Sequence, residues 1–323
     1  CSIVSIMRLV QYSCVKRRRE DMNNKRRLFS TLLCVAALTA GLFVSGCGSD
    51  KAGGIGSVVS SVVDGGSDEK AAAKLNTLID ATNRFNGDNA TWGQNYADSL
   101  AKLKGGFQEG AIGRQPHYDT LKDALEKSKK EGSTFKEVDT ERDNVLNVLN
   151  ELVPTFKDLK AYDDSKAYMN DGGAKGKELA AKYVAQVEKF DAAYAKFNDA
   201  LNKANTEQTK KQIEKLKKDG KKGYAAAMES TLRLTTLVEN VEKAPKNADK
   251  QAVEKELNEI QTLLKSINND RGEVLVNSYN SVVGSVRQVL TDANENNLND
   301  MIENFNNYIE SYNNTTPDQF DSK

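Results

Sequence analysis

Beyond residue 67 the apolar positions of this chain recur at the spacing of a helix face. Tyr183, Val187, Phe190, Tyr194, Phe197 and Leu201 are separated by 4, 3, 4, 3 and 4 residues. Val253, Leu257, Ile260, Leu264 and Ile267 repeat at 4, 3, 4 and 3, as do Leu275, Tyr279, Val282, Val286 and Val289. Leu298, Ile302, Phe305, Ile309 and Tyr312 give the same series. This periodicity puts each set on one stripe and suits bundle or coiled-coil packing. Strand-like alternation is essentially missing after Val63. The pattern predicts an all-α fold: an elongated multi-helix bundle of long antiparallel helices over residues 68–316, followed by a disordered tail at 317–323.

Breakers and caps place the helix ends. A first helix is expected from Ser67 to Phe85, stopped by Asn86-Gly87, and a second, carrying Trp92, up to Gly105-Gly106. Pro116 suits the first turn of a helix reaching about Glu131. Another is expected from Asp139 to Met169 with a kink at Pro154. The longest stretch, Ala174 to Lys243, is interrupted near Gly220 and Gly223. A helix over 249–268 follows Pro245 and Asn247, and Asn268 to Gly272 turns into two last helices that end before Pro317.

The N-terminal pattern is different. Met22 is followed by Lys25, Arg26 and Arg27, then by an apolar run from Leu28 to Val44. That order is the n-region and h-region of a secretory signal. The run ends in Val44-Ser45-Gly46-Cys47, which fits the box cut by lipoprotein signal peptidase: an aliphatic residue, two small ones, then Cys. Residues 22–46 therefore read as a signal peptide and Cys47 as the acylated first residue of the mature chain. One acyl chain anchors marginally, whereas two or more anchor stably. An uncleaved membrane helix is the alternative, but 17 mostly apolar residues is the short end of a bilayer span. Residues 47–67, rich in Gly, Ser and Val, form a flexible tether; a coil of that length spans about 25 Å. Residues 1–21 precede a complete signal and read as upstream translation.

Cysteine usage supports this reading. Of Cys1, Cys14, Cys34 and Cys47, only Cys47 stays in the mature chain, and a lone exported cysteine calls for an explanation that acylation supplies. Charge shifts as well. Residues 1–46 hold eight Lys and Arg against Glu20 and Asp21, which leaves 38 basic and 44 acidic groups, a formal −6. An acidic exported chain is a poor nucleic-acid binder, because such binding neutralises phosphates. The expected location is the periplasmic face of an outer membrane, or the outer face of the plasma membrane in a host with only one membrane. Gly48 is not the acidic second residue of inner-membrane retention.

Little catalytic chemistry is visible. His117 is the one histidine, and zinc sites need several Cys or His ligands, so no metal or cofactor is expected. His117 after Pro116 reads as a solvated first-turn residue. Asp163-Asp164 and Asn170-Asp171-Gly172 lack the alternating acids and closing Glu of a calcium loop. Ser133-Thr134-Phe135-Lys136 matches Ser-x-x-Lys without its companion motifs. Gly172-Gly173-Ala174-Lys175-Gly176-Lys177-Glu178 misses a phosphate loop in spacing and in its final residue. Lys210, Lys211, Lys215, Lys217, Lys218, Lys221 and Lys222 concentrate charge around Gly220. Lys217, Lys218, Lys221 and Lys222 form a candidate patch for an anionic envelope protein or polymer, weighed against a solvated helix end.

The run KDLKAYDDSKAYMNDGGAKGKELAAKYVAQVEKFDAAYAKF at 157–197 resembles the YiiG-like family of bacterial lipoproteins, a domain of unknown function. KLNTLIDATNRFN at 74–86, EKLKKDGKKGYAAAMESTLRLTTLV at 214–238 and MIENFNNYIESYNN at 301–314 agree, with the sharpest match from Tyr168 to Leu179. The resemblance implies a lipid-anchored helical envelope protein and carries no catalytic residue. Ala180 stands where family members often carry a His, and an aromatic pair is reduced to Ala161-Tyr162. The expected function is a non-catalytic interaction or structural module. The alternatives are a glycan-directed envelope hydrolase using a carboxylate pair and a solute- or metal-binding lipoprotein.

Overall fold

The computed structural model describes residues 67–113, 116–132 and 135–321. Residues 1–66, with the upstream segment, the signal, Cys47 and almost all of the tether, lie outside the described residues, as do Ser133, Thr134 and the last two residues of the expected tail. Among the described residues the structure is all-α, with no strand. Its helices are α1 Ser67–Lys104, α2 Tyr118–Lys130, α3 Lys136–Asp164, α4 Tyr168–Asp171 and α5 Ala174–Lys218. They continue with α6 Lys222–Lys243, α7 Lys250–Lys265, α8 Asp270–Thr291, α9 Glu295–Asn313 and α10 Pro317–Phe320. Where the repeats suggested one bundle over 68–316, the chain divides into two compact units, one formed by residues 74–204 and the other chiefly by 205–321. The division falls within α5.

In the first unit, α1 runs unbroken through Asn86-Gly87, where two helices were expected. A mid-helix glycine costs only about 1 kcal/mol. Buried residues on both sides offset that cost, with Leu75, Leu78 and Phe85 before the glycine and Tyr96, Leu100 and Leu103 after it. Helix α2 starts at Tyr118, leaving Pro116 two residues ahead of the helix and His117 exposed at its N-cap. Helix α3 continues through Pro154, held by buried Leu149, Leu152 and Leu159. It stops at Asp164, earlier than expected, because Lys166 takes a left-handed φ of 56°. The Lys166 N–H reaches Asp163 O at 2.9 Å and the Ala167 N–H reaches Tyr162 O at 3.1 Å. This is a Schellman closure with lysine where glycine is usual.

In the second unit, α6 is buried nearly all round, from Tyr224 to Val241, as befits the central helix of a small bundle. Its hydroxyls turn inward: Thr231 bonds Ala227 O and Thr235 bonds Thr231 O, each at 2.8 Å. The three helices that follow are capped by side chains. Asp249 accepts from Gln251 and Ala252 N–H, Asn269 from Arg271 and Gly272, and Asn294 from Asn297. Leu257, Ile260 and Leu264 face the core with Leu275, Tyr279, Val282, Val286 and Val289, as their spacing predicts. On α9 the face is rotated: Met301 and Tyr308 join Phe305, Ile309 and Tyr312 in the core, and Ile302 is only half-buried. Gly223 and Gly272, read as breakers, lie inside the first turns of α6 and α8. The expected disordered tail is also corrected. Pro317–Phe320 is a short helix with Phe320 2% exposed, because two tyrosine rings receive it.

Candidate functional site

The segment carrying the family resemblance folds as a corner, from α4 into the first turn of α5. Asp171 Oδ1 accepts from the Tyr162 hydroxyl at 2.5 Å and the Gly173 N–H at 2.9 Å, and Oδ2 from the Lys175 N–H at 3.1 Å. The bond from Tyr162 holds the Asp171 carboxyl below the usual carboxylate range. This wrapping requires Gly172 at φ 63° and Gly173 at φ 84°. Phe107, from the loop after α1, sits 5.2 Å edge-on to Tyr162 and 5.8 Å from Tyr168. A Cβ on Gly176 would lie 2.5 Å from Phe107 Cγ and 2.6 Å from Tyr162 Cε1, so the ring lies directly on backbone. The Tyr168 hydroxyl is sealed without a hydrogen bond of ordinary geometry, and interaction with the Glu109 carboxylate pushes it up to about 12. Met169 is left 70% exposed at the rim. The three glycines of the phosphate-loop-like run, and Asp171 just before it, are thus absorbed by the corner itself. Phe107 and Glu109, some sixty residues away in sequence, have no local signal that would have found them.

The basic break closes as a Schellman turn, with Gly220 at φ 80° and the Lys221 N–H on Leu216 O at 2.9 Å. The structure divides the four candidate lysines. Lys217 pairs with Glu229 at 2.9 Å and Glu214 at 3.2 Å, and Lys221 with Asp318 at 3.0 Å. Lys218 and Lys222 are exposed and, among the described residues, in no ion pair. The charge open to an anionic partner is therefore about half of what the spacing suggested.

Three buried tyrosines form the polar centre of the first unit. The Tyr96 and Tyr118 hydroxyls are 2.8 Å apart, and Tyr183 interacts with both. Burial pushes all three well above the ordinary range, so they remain neutral hydrogen-bonding groups. Two carboxylates are raised. Asp80 is raised by burial, against the opposing charge of Arg84. Asp191 is raised to about 6 by desolvation, against Lys104, although its residue is exposed and water keeps access to the charged form. Each is set against a cation. Among the described residues no group of three or more His, Cys, Asp or Glu is placed to hold a metal ion. No described helix is long and apolar enough to cross a membrane.

No curated protein and no solved structure matches the chain. Residues 69–314, which span α1 through α9, match the family described as "Protein of unknown function (DUF3829)", and the chain belongs to that family.

Proposed function

We propose that this is a YiiG-like lipoprotein of the cell envelope, held to a membrane through acylated Cys47 and working by contact rather than catalysis. The observation that carries the reading is the sequence Val44-Ser45-Gly46-Cys47 at the end of a basic and then apolar leader. The character of the folded part supports a module. Several of its polar groups are spent on each other: the Tyr96–Tyr118 hydroxyl pair, the Asp171 wrap, and Arg142 between Asp139 and Asp143 at 2.6 and 3.0 Å. A site for hydrolysis would instead hold two carboxylates facing a substrate gap. Exposed Lys218 and Lys222 are the positions offered to an anionic envelope partner.

The test is Cys47→Ala in cells fed a labelled fatty acid. The variant should lose the label and retain residues 22–46, and equal labelling of variant and wild type would overturn the proposal. In a host with two membranes the protein should fractionate with the outer one, since Gly48 is not acidic.

A further inference from the structure

The N-terminus of α6 has no cap of its own. Its N-cap residue, Lys221, makes no side-chain cap bond. The cap arrives instead from nearly a hundred residues along the chain: Asp321 accepts from the Gly223 N–H at 2.7 Å and the Tyr224 N–H at 3.4 Å. These are donors of the first helical turn, where a negative charge is stabilised by both hydrogen bonds and dipole.

Three further features describe a receptor for this segment rather than chance contact. Phe320 lies nearly parallel to both Tyr224 and Tyr312, 5.9 Å from each ring, at 12° and 27°. The Asn269 side-chain amide donates to Gln319 O at 3.2 Å and Phe320 O at 3.1 Å, reading the backbone of the segment. Gly223 leaves the room: a Cβ there would stand 2.0 Å from Phe320 O. The segment in turn is preorganised, with Pro317 opening its turn and Thr316 and Gln319 closing a capping box. From Thr316 to Asp321, Phe320 is the only buried side chain; the Asp321 cap, the Asn269 amide and the exposed Lys221–Asp318 pair complete the hold on the strap.

We propose that this end of the second unit is a peptide-binding slot, occupied here by the chain's own strap, whose external ligands are peptides with an aromatic residue followed directly by Asp or Glu. The ring enters between Tyr224 and Tyr312, and the carboxylate caps α6. Asn269 reads two carbonyls without regard to side chains. Exposed Lys218 and Lys222 draw an acidic segment towards the slot. A strap with a single buried ring yields to a competitor that brings the same ring, carboxylate and backbone.

The experiment uses the full chain carrying Phe320→Ala and a fluorescent peptide of residues 315–321. Saturable binding to this variant is expected, at least tenfold tighter than to the Phe320→Ala, Gly223→Ala double variant, whose added Cβ fills the slot. A peptide with its own Phe replaced by Ala should not bind. If folded Phe320→Ala, verified by circular dichroism, binds no more peptide than the double variant, the proposal is overturned. Should Phe320→Ala fail to fold, wild-type protein decides. At millimolar unlabelled peptide, near the effective concentration of a short tether, the Gln319 and Phe320 amide resonances should move to free-chain positions. Unmoved resonances at that concentration would overturn it equally.

Discussion

The core of residues 74–204 is organised by rings that touch one another. Phe85 lies 5.8 Å from Tyr118, 5.7 Å from Phe190 and 5.3 Å from Tyr194, and Tyr118 lies 4.9 Å from Phe190. Most of these pairs are edge-on or tilted, the arrangement that ring quadrupoles favour. The core of residues 205–321 is organised by aliphatic stripes, with Leu234, Ile260, Leu264, Leu275, Val282 and Val286 fully enclosed. Its ring-to-ring contacts, among the described residues, are those that Phe320 makes at the strap. The helix starts differ in parallel. In the second unit Asp249, Asn269 and Asn294 each cap a helix with their own side chain, whereas α2 and α3 begin at His117 and Phe135 with no side-chain cap. The exception in the second unit is α6, whose start is capped from a distance by Asp321.

The largest effect that would test this contrast is Phe190→Ala. Removing a fully buried ring should cost about 3–5 kcal/mol, read as a drop in thermal stability. Amide exchange should accelerate within residues 74–204 while the amides of α6 to α9 keep their protection. Equal loosening of both sets would show that the two cores respond as one.

Gly176→Ala sharpens the comparison inside the first unit. Its Cβ would press on Phe107 and Tyr162, and overpacking of this kind costs about 1–3 kcal/mol. The melting temperature should fall, with the loss relieved by adding Phe107→Leu, whose smaller side chain gives room. An undiminished melting temperature in Gly176→Ala would mean that the corner is looser than its ring contacts require.

The smallest effect concerns the surface of the second unit. Arg233 forks onto Glu256 at 2.6 and 2.7 Å and also reaches Glu259. The guanidinium holds the Glu256 carboxyl below its ordinary 4.5. A depressed folded value contributes stability above pH 4.5 that is lost as pH falls through the lowered value. Arg233→Met should therefore melt slightly below wild type at pH 7, by about 1 kcal/mol or less for so solvated a pair. The two proteins should converge near pH 3. A gap that persists there would assign the effect to packing of the arginine stem.

The same contrast explains what could be read in advance. The 4-3 repeats of α5, α7 and α8 are local, and they placed the buried faces of those helices closely, whereas the caps Asp249, Asn269 and Asn294 emerge only with the structure. Gly87 is also a local signal, but packing on both flanks overrode it. The strap was illegible for a different reason. Phe320 and Asp321 look like polar-tail residues until α6 is seen to lack a cap, and the carboxylate that supplies it is 98 residues from Gly223. At the basic break, spacing revealed the lysines but not their partners, since Glu229 and Asp318 belong to other helices. Phe107, which completes the corner around Tyr162 and Tyr168, shows no pattern at all in its loop.

Cys47 lies outside the described residues, and the proposed anchoring rests on it, so the most direct measurement is mass spectrometry of the N-terminal peptide of the protein purified from membranes. The account predicts a mature chain beginning at Cys47, heavier than the unmodified peptide by a diacylglyceryl group and, in many hosts, a further acyl chain. A peptide that retains residues 22–46, or an unmodified Cys47 thiol, would contradict it.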